Sequence, residues 1–212
     1  MSITHHLDDA TLMSFAAGAL PGALAAVAAA HVAMCPRCRR ELATLERIGG
    51  ALVADLAPVD LGHAAPSLPG PASAERGPGA NARAGVGELP WPIAGMVAGG
   101  LDAVRWRRLG IGVWDHVLPI AGAGKLRLLK VSPLRNVPEH GHGGAELTLV
   151  LRGSFYDATG RYAPGDVADL DADVAHQPVT DKEGDCICVV ASETPEEFRS
   201  VLARQWQRWR GF

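Results

Sequence analysis

The chain of 212 residues reads as an α+β multidomain protein, a small all-α region followed by an all-β barrel or jelly roll. Three observations carry that reading. Apolar residues recur at three- and four-residue intervals as far as Leu56. Short apolar runs separated by Gly, Pro, Asp and Asn clusters fill the chain after Trp91. Between them lies a stretch with Pro58, Pro66, Pro69, Pro71, Pro78 and Pro90, interspersed glycines and little apolar periodicity. The expected layout is a helical domain over 1–80, a Pro/Gly-rich linker over 57–90 that overlaps its end, a barrel over 91–195 and a terminal helix over 195–212.

The first helix is expected over Thr11 to Leu20, with Asp8 or Asp9 at its N-cap, where a carboxylate accepts the free amides of the first turn. Pro21-Gly22 turns the chain into a second helix ending at Met34, so the two form a short antiparallel pair. A third helix should run from Pro36 to about Leu56. Pro suits the first helical position, and Leu42, Leu45, Ile48, Leu52 and Leu56 make one apolar stripe. That stripe either packs on the first two helices or remains as the face on which a partner helix docks. The strands are expected at 104–109, 112–118, 125–131, 146–151, 166–170 and 185–190. An amphipathic helix from Pro195 to Trp209 would place Phe198, Val201, Leu202 and Trp206 on one side. His63, in the linker, and His116, inside a strand, are given no role.

His31-Val-Ala-Met-Cys35-Pro-Arg-Cys38 is the densest chemical signal in the helical part. Four residues apart on a helix, His31 and Cys35 project from one face. Cys35 falls at the N-cap of the next helix, where the helix dipole favours a thiolate, and Cys38 returns to the same side one turn later. These are three of the four ligands of a tetrahedral zinc site. The antiparallel helix pair brings the start of the chain near His31 and Cys35, so His5 or His6 supplies the fourth, with His6 favoured.

Composition narrows the function classes. The formal net charge is −3, and in the first fifty residues Arg37, Arg39, Arg40 and Arg47 are balanced by Asp8, Asp9, Glu41 and Glu46. That is no footprint of a direct nucleic-acid binder, and a protein partner fits better. The N-terminus lacks the features of a signal peptide, and the apolar run Ala23 to Ala30 is too short to cross a membrane. Four cysteines, two in a metal motif and two in Cys186-Ile-Cys188, suit a reducing cytoplasm better than a disulfide framework. The latter two share a strand face and are either small core side chains or oxidant sensors.

The barrel has its own cluster of ligand types, His140-Gly-His142-Gly-Gly-Ala-Glu146. On one regular strand these even-numbered residues share a face, and His176 lies downstream in a turn-rich segment. Three imidazoles and one carboxylate suit zinc, iron, nickel or manganese.

Two families resemble these patterns. His6 followed by His31-x-x-x-Cys35-x-x-Cys38 between short Ala-rich helices is similar to the zinc-binding anti-sigma domain of bacteria. His140, His142, Glu146 and Gly153 match the first cupin motif, and Gly160 to Asp166 followed by His176 resembles the second. His176 stands further from Pro164-Gly165 than in the common form. Together, in this order, the parts resemble the ChrR family of anti-sigma factors. The resemblance implies a cytoplasmic regulator, not an enzyme, that binds and inhibits an extracytoplasmic-function sigma factor through its zinc domain. It further implies that a metal-bearing cupin domain controls release under reactive oxygen stress such as singlet oxygen. The alternative is a metal-dependent cupin enzyme, of dioxygenase or isomerase type, with a fused zinc module.

Overall fold

The structure, a computed structural model, describes residues 2–59, 62, 88–137, 140–142, 144–171, 177–193 and 196–198. Helix α1 spans Asp9–Ala16, and the Asp8 carboxylate caps it by accepting the Thr11 amide at 2.6 Å. It stops short of Leu20 because Gly18, at φ +68°, closes a left-handed turn. There the Ala19 amide reaches the Ser14 carbonyl and the Gly18 amide reaches Phe15. Helix α2, Gly22–Met34, buries Ala23, Leu24, Ala26, Val27, Ala28, Ala30 and His31. A helix so apolar on all sides must lie inside the protein. Helix α3, Pro36–Ala54, begins with Pro36 at its first position and Cys35 as its cap.

The rest is β-structure. A six-stranded antiparallel sheet has the order β1 (Arg107–Gly110), β2 (Val113–Val117), β3 (Lys125–Val131), β10 (Cys186–Ser192), β5 (Glu146–Arg152), β8 (Val167–Leu170). A second sheet orders β7 (Gly160–Tyr162), β6 (Phe155–Asp157) and β9 (Val179–Thr180). A two-stranded ribbon pairs β4 (His140–His142) with β11 (Glu196–Phe198). The expected strand from 104 begins only at Arg107, because Leu101–Ala103 form a 3-10 turn that buries Leu101 and Val104. His116 lies on β2 with Nδ1 donating to the Arg105 carbonyl at 3.1 Å, a structural contact.

Strand alternation divides the large sheet into two faces. Leu126, Leu128, Leu147, Leu149, Ile187 and Val189 face the helices and share one core with Leu12, Leu24 and Val27. Val150, Ala168, Leu170, Cys186, Cys188 and Val190 line the opposite face with Phe155 and Tyr162. The helical part therefore docks α2 directly on the back of the barrel sheet. Gly22 permits that approach, since a Cβ there would stand 2.6 Å from the Ala121 carbonyl oxygen. Full burial of a side chain such as Leu24 contributes about 2 kcal/mol, so this contact is a principal support of α2.

Two expectations are corrected by the structure. Glu196–Phe198 are strand, not the start of a helix, because the backbone of β4 takes them as its antiparallel partner. The remainder of that expected helix lies outside the described residues, as do most of the linker and His63. His140 and His142 do not share one regular strand with Glu146. The chain bends between β4 and β5, where Glu193 accepts the Ala145 amide at 3.0 Å and presses on Gly144.

Candidate metal centre

His6, His31, Cys35 and Cys38 come together, each offering one donor atom, all within 4.8 Å of one another. His31 and the two cysteines are buried and His6 is half-buried. His31 Nε2 lies 3.3 Å from Cys38 Sγ, and Cys35 Sγ lies 3.3 Å from His6 Nδ1. A tetrahedral ion with N and S bonds of about 2.0–2.3 Å has donor-to-donor edges of about 3.3–3.8 Å. The spacing fits such an ion, and this His2Cys2 group is of a kind that can bind zinc.

The thiols owe their positions to local structure. The Cys35 cap directs its Sγ at the Cys38 amide, 3.5 Å away, and the Leu7 amide donates to Cys38 Sγ. Burial pushes the Cys38 thiol up to about 11, so in the metal-free state it keeps its proton and an incoming cation must displace it. The imidazoles are set differently. His31 Nδ1 lies 2.9 Å from the Gly165 carbonyl oxygen, across the boundary with the barrel. A carbonyl only accepts, so the ring proton is on Nδ1 and the Nε2 lone pair faces the cluster. Burial holds His31 down at about 4, outweighing the opposing effect of that carbonyl, so the ring is neutral and ready to ligate. His6 is also lowered, by burial first and then by the Arg37 charge. His5 points elsewhere, stacking on Tyr162 with ring centroids 4.0 Å apart.

Of the barrel candidates, Glu146 is buried on β5 and accepts the Thr148 hydroxyl at 3.2 Å. The backbones of His140 and His142 lie on β4, and His176 is outside the described residues. Cys186 and Cys188 are buried with sulfurs 3.7 Å apart. The Cys188 thiol is pushed well up by its hydrogen bond with Cys186 and by burial, so in this state the pair packs as core. Sequence reasoning missed Gly165, Asp166 and Asp169. Gly165 and Asp166 sit in what resembles the second cupin motif and Asp169 lies three residues beyond it, and nothing in their pattern signals contacts 134 to 162 residues away.

On the helical side the α3 stripe divides. Leu42 and Leu45 pack against the core, whereas Ile48, Leu52, Val53 and Leu56 are exposed, the last three at 65–70%. No helix among the described residues is long and apolar enough to cross a membrane.

A small helical module with a His2Cys2 cluster, docked on a cupin-like barrel, defines a regulator of the anti-sigma class, and three comparisons agree. The family model for the ChrR cupin-like domain matches residues 95–194. The chain is 40% identical over 205 residues to the anti-sigma-E factor ChrR of Cereibacter sphaeroides, covering 96% of each. It also resembles the crystal structure of Rhodobacter sphaeroides SigE in complex with the anti-sigma ChrR. That likeness has 38% identity and a TM-score of 0.75, over 90% of this chain and 100% of that one. The chain belongs to the ChrR family of anti-sigma factors. This is a family of regulators, and the alternative of a cupin enzyme finds no support in these relatives.

Proposed function

We propose that this protein is a cytoplasmic, zinc-dependent anti-sigma factor whose helical part binds and inhibits an extracytoplasmic-function sigma factor. The observation that carries the reading is the exposed apolar stripe of α3 on a helix whose first turn is anchored in the His2Cys2 cluster. Zinc at His6, His31, Cys35 and Cys38 would cross-link the chain start, α2 and α3, supplying folding energy to a module too small to be stable alone. Ile48, Leu52, Val53 and Leu56 would then cover apolar surface on the sigma factor that core polymerase otherwise uses. The relatives support this partner, since the solved ChrR structure is a complex with SigE.

The barrel is the input module, with a divalent metal (zinc, iron, manganese or nickel) held by His140, His142, Glu146 and His176. Reactive oxygen such as singlet oxygen alters that site, and release follows from a difference in affinity between the sigma-bound and free forms. The test mixes the full zinc-loaded chain with a purified extracytoplasmic-function sigma factor from the same organism. A stable complex and loss of transcription by the reconstituted polymerase are expected. Undiminished transcription without complex formation contradicts the proposal.

A further inference from the structure

The four clustered ligands are held by two different parts of the molecule. Cys35 and Cys38 belong to one helix cap, but both imidazole ligands depend on a single turn of the barrel, the entry to β8. The Gly165 carbonyl accepts a hydrogen bond from the His31 Nδ1–H. Next to it Asp166, only 2% exposed, aims its carboxylate at the strap that carries His6. Its Oδ1 accepts the Thr4 amide at 2.6 Å, the His5 amide at 2.9 Å and the Thr4 hydroxyl at 3.3 Å, while Oδ2 accepts the barrel's own Ala163 amide at 2.8 Å. On the other side of His6, Asp169 accepts the Asp8 amide at 3.0 Å and the Thr11 hydroxyl at 3.2 Å. The chain is thus fastened to the barrel immediately before and shortly after His6. The fit is close, because a Cβ on Gly165, at φ +95°, would stand 2.7 Å from Ile3 Cδ1.

We propose that the Gly165-Asp166 turn, with Asp169, is the positioning element of the front metal site, so that zinc retention depends on docking of the barrel. The inference rests on the reading that zinc occupies the His2Cys2 cluster. Amides bonded to a buried carboxylate form strong, directional contacts. A ligating histidine needs its second ring nitrogen engaged to hold tautomer and orientation. The same turn leads into β8, whose Leu170 pairs with Glu146 of β5. One strand pair therefore separates the turn from the barrel's candidate ligand. A displacement of β8 moves the acceptor of His31 and the anchor of His6 together, and needs no signal through the linker.

The test is the rate at which a strong chelator removes zinc from the full chain, read with a colorimetric indicator, beside the thermal transition. Asp166→Ala removes the anchor and should release zinc about tenfold faster or more. Asp166→Asn keeps an Oδ1 acceptor for Thr4 and His5 but turns an amide donor toward the Ala163 N–H, so it should release zinc more slowly than the Ala variant. Gly165→Ala wedges against Ile3 and should behave like the Ala variant. A wild-type rate for Asp166→Ala overturns the proposal. Equal acceleration by Ala and Asn also overturns it, because the effect then lies inside the barrel. If the variants do not fold, the wild type still decides through nitrogen NMR of the zinc-loaded protein. A proton on His31 Nδ1, slow to exchange, is expected, and one on Nε2 contradicts. Wild-type protein with no zinc would refute the zinc reading itself, a separate failure.

Discussion

The helical half and the barrel half bury their apolar residues by different means. The barrel has an interior of its own, built from Val150, Phe155, Tyr162, Leu170 and Val190. The helices have none. Leu12, Leu24 and Val27 complete their core only with Leu147, Leu149 and Val189 from the back of the sheet, and the α3 stripe from Ile48 onward stays uncovered. A module of three short helices cannot offset its own chain entropy with so little enclosed surface. On the reading proposed above it relies instead on a metal, the barrel and a partner, so each of these can control it. The barrel, self-sufficient in packing, is suited to be the element that does the controlling.

The largest expected effect breaks the first support. Cys38→Ser should abolish stoichiometric binding at the front site and, through the shared core, lower the helical signal and the barrel's thermal transition together. Elemental analysis with far-ultraviolet and tryptophan spectra reads both, and a full helical signal in the zinc-free variant would show that the helices do not depend on the metal. Leu24→Ala attacks the second support and should cost about 2–5 kcal/mol. Helix ellipticity and the fluorescence of Trp106 and Trp114 should shift together. Separate transitions would mean that the shared core does not couple the halves.

Leu52→Asp concerns the third support. It should change stability by less than about 0.5 kcal/mol, being 65% exposed. Sigma binding should nevertheless weaken about tenfold or more in a titration, and unaltered binding would remove the α3 stripe from the interface.

The smallest effect sharpens the seam between the halves. Asp169 has its carboxyl pushed up to about 6, by burial first and with help from the nearby charges of Asp8 and Asp171. The folded state thus holds this proton more tightly than the unfolded chain, where an aspartate titrates near about 3.9. Its contribution is most favourable below about pH 4 and declines as pH rises through about 6. Asp169→Asn keeps an acceptor without the buried charge. Melting at pH 8 should therefore rise relative to wild type, with the gain gone by about pH 4. A gain independent of pH would contradict the assignment.

Much of this was legible in the sequence where periodicity was strong and local. Cys35-Pro36 announces both a cap and a helix start, and Asp8 and Lys125–Val131 fall where propensity places them. The His31, Cys35 and Cys38 spacing survives folding because one helix end and one cap generate it. Parity misled at His140 and Glu146, where glycines let the chain bend and start a new strand. The strands β6, β7 and β9 are too short to show alternation. The docking of α2 on the sheet, and the Asp166 anchor with it, depends on contacts between residues far apart in the chain. Pattern within a window cannot carry such contacts.

The most direct check is X-ray absorption at the zinc edge on protein carrying His140→Ala and His142→Ala, which leaves the front cluster as the principal zinc site. The account predicts a four-coordinate shell of two sulfurs at about 2.3 Å and two nitrogens at about 2.0 Å. A shell without sulfur, or an empty site in zinc-replete protein, would contradict it.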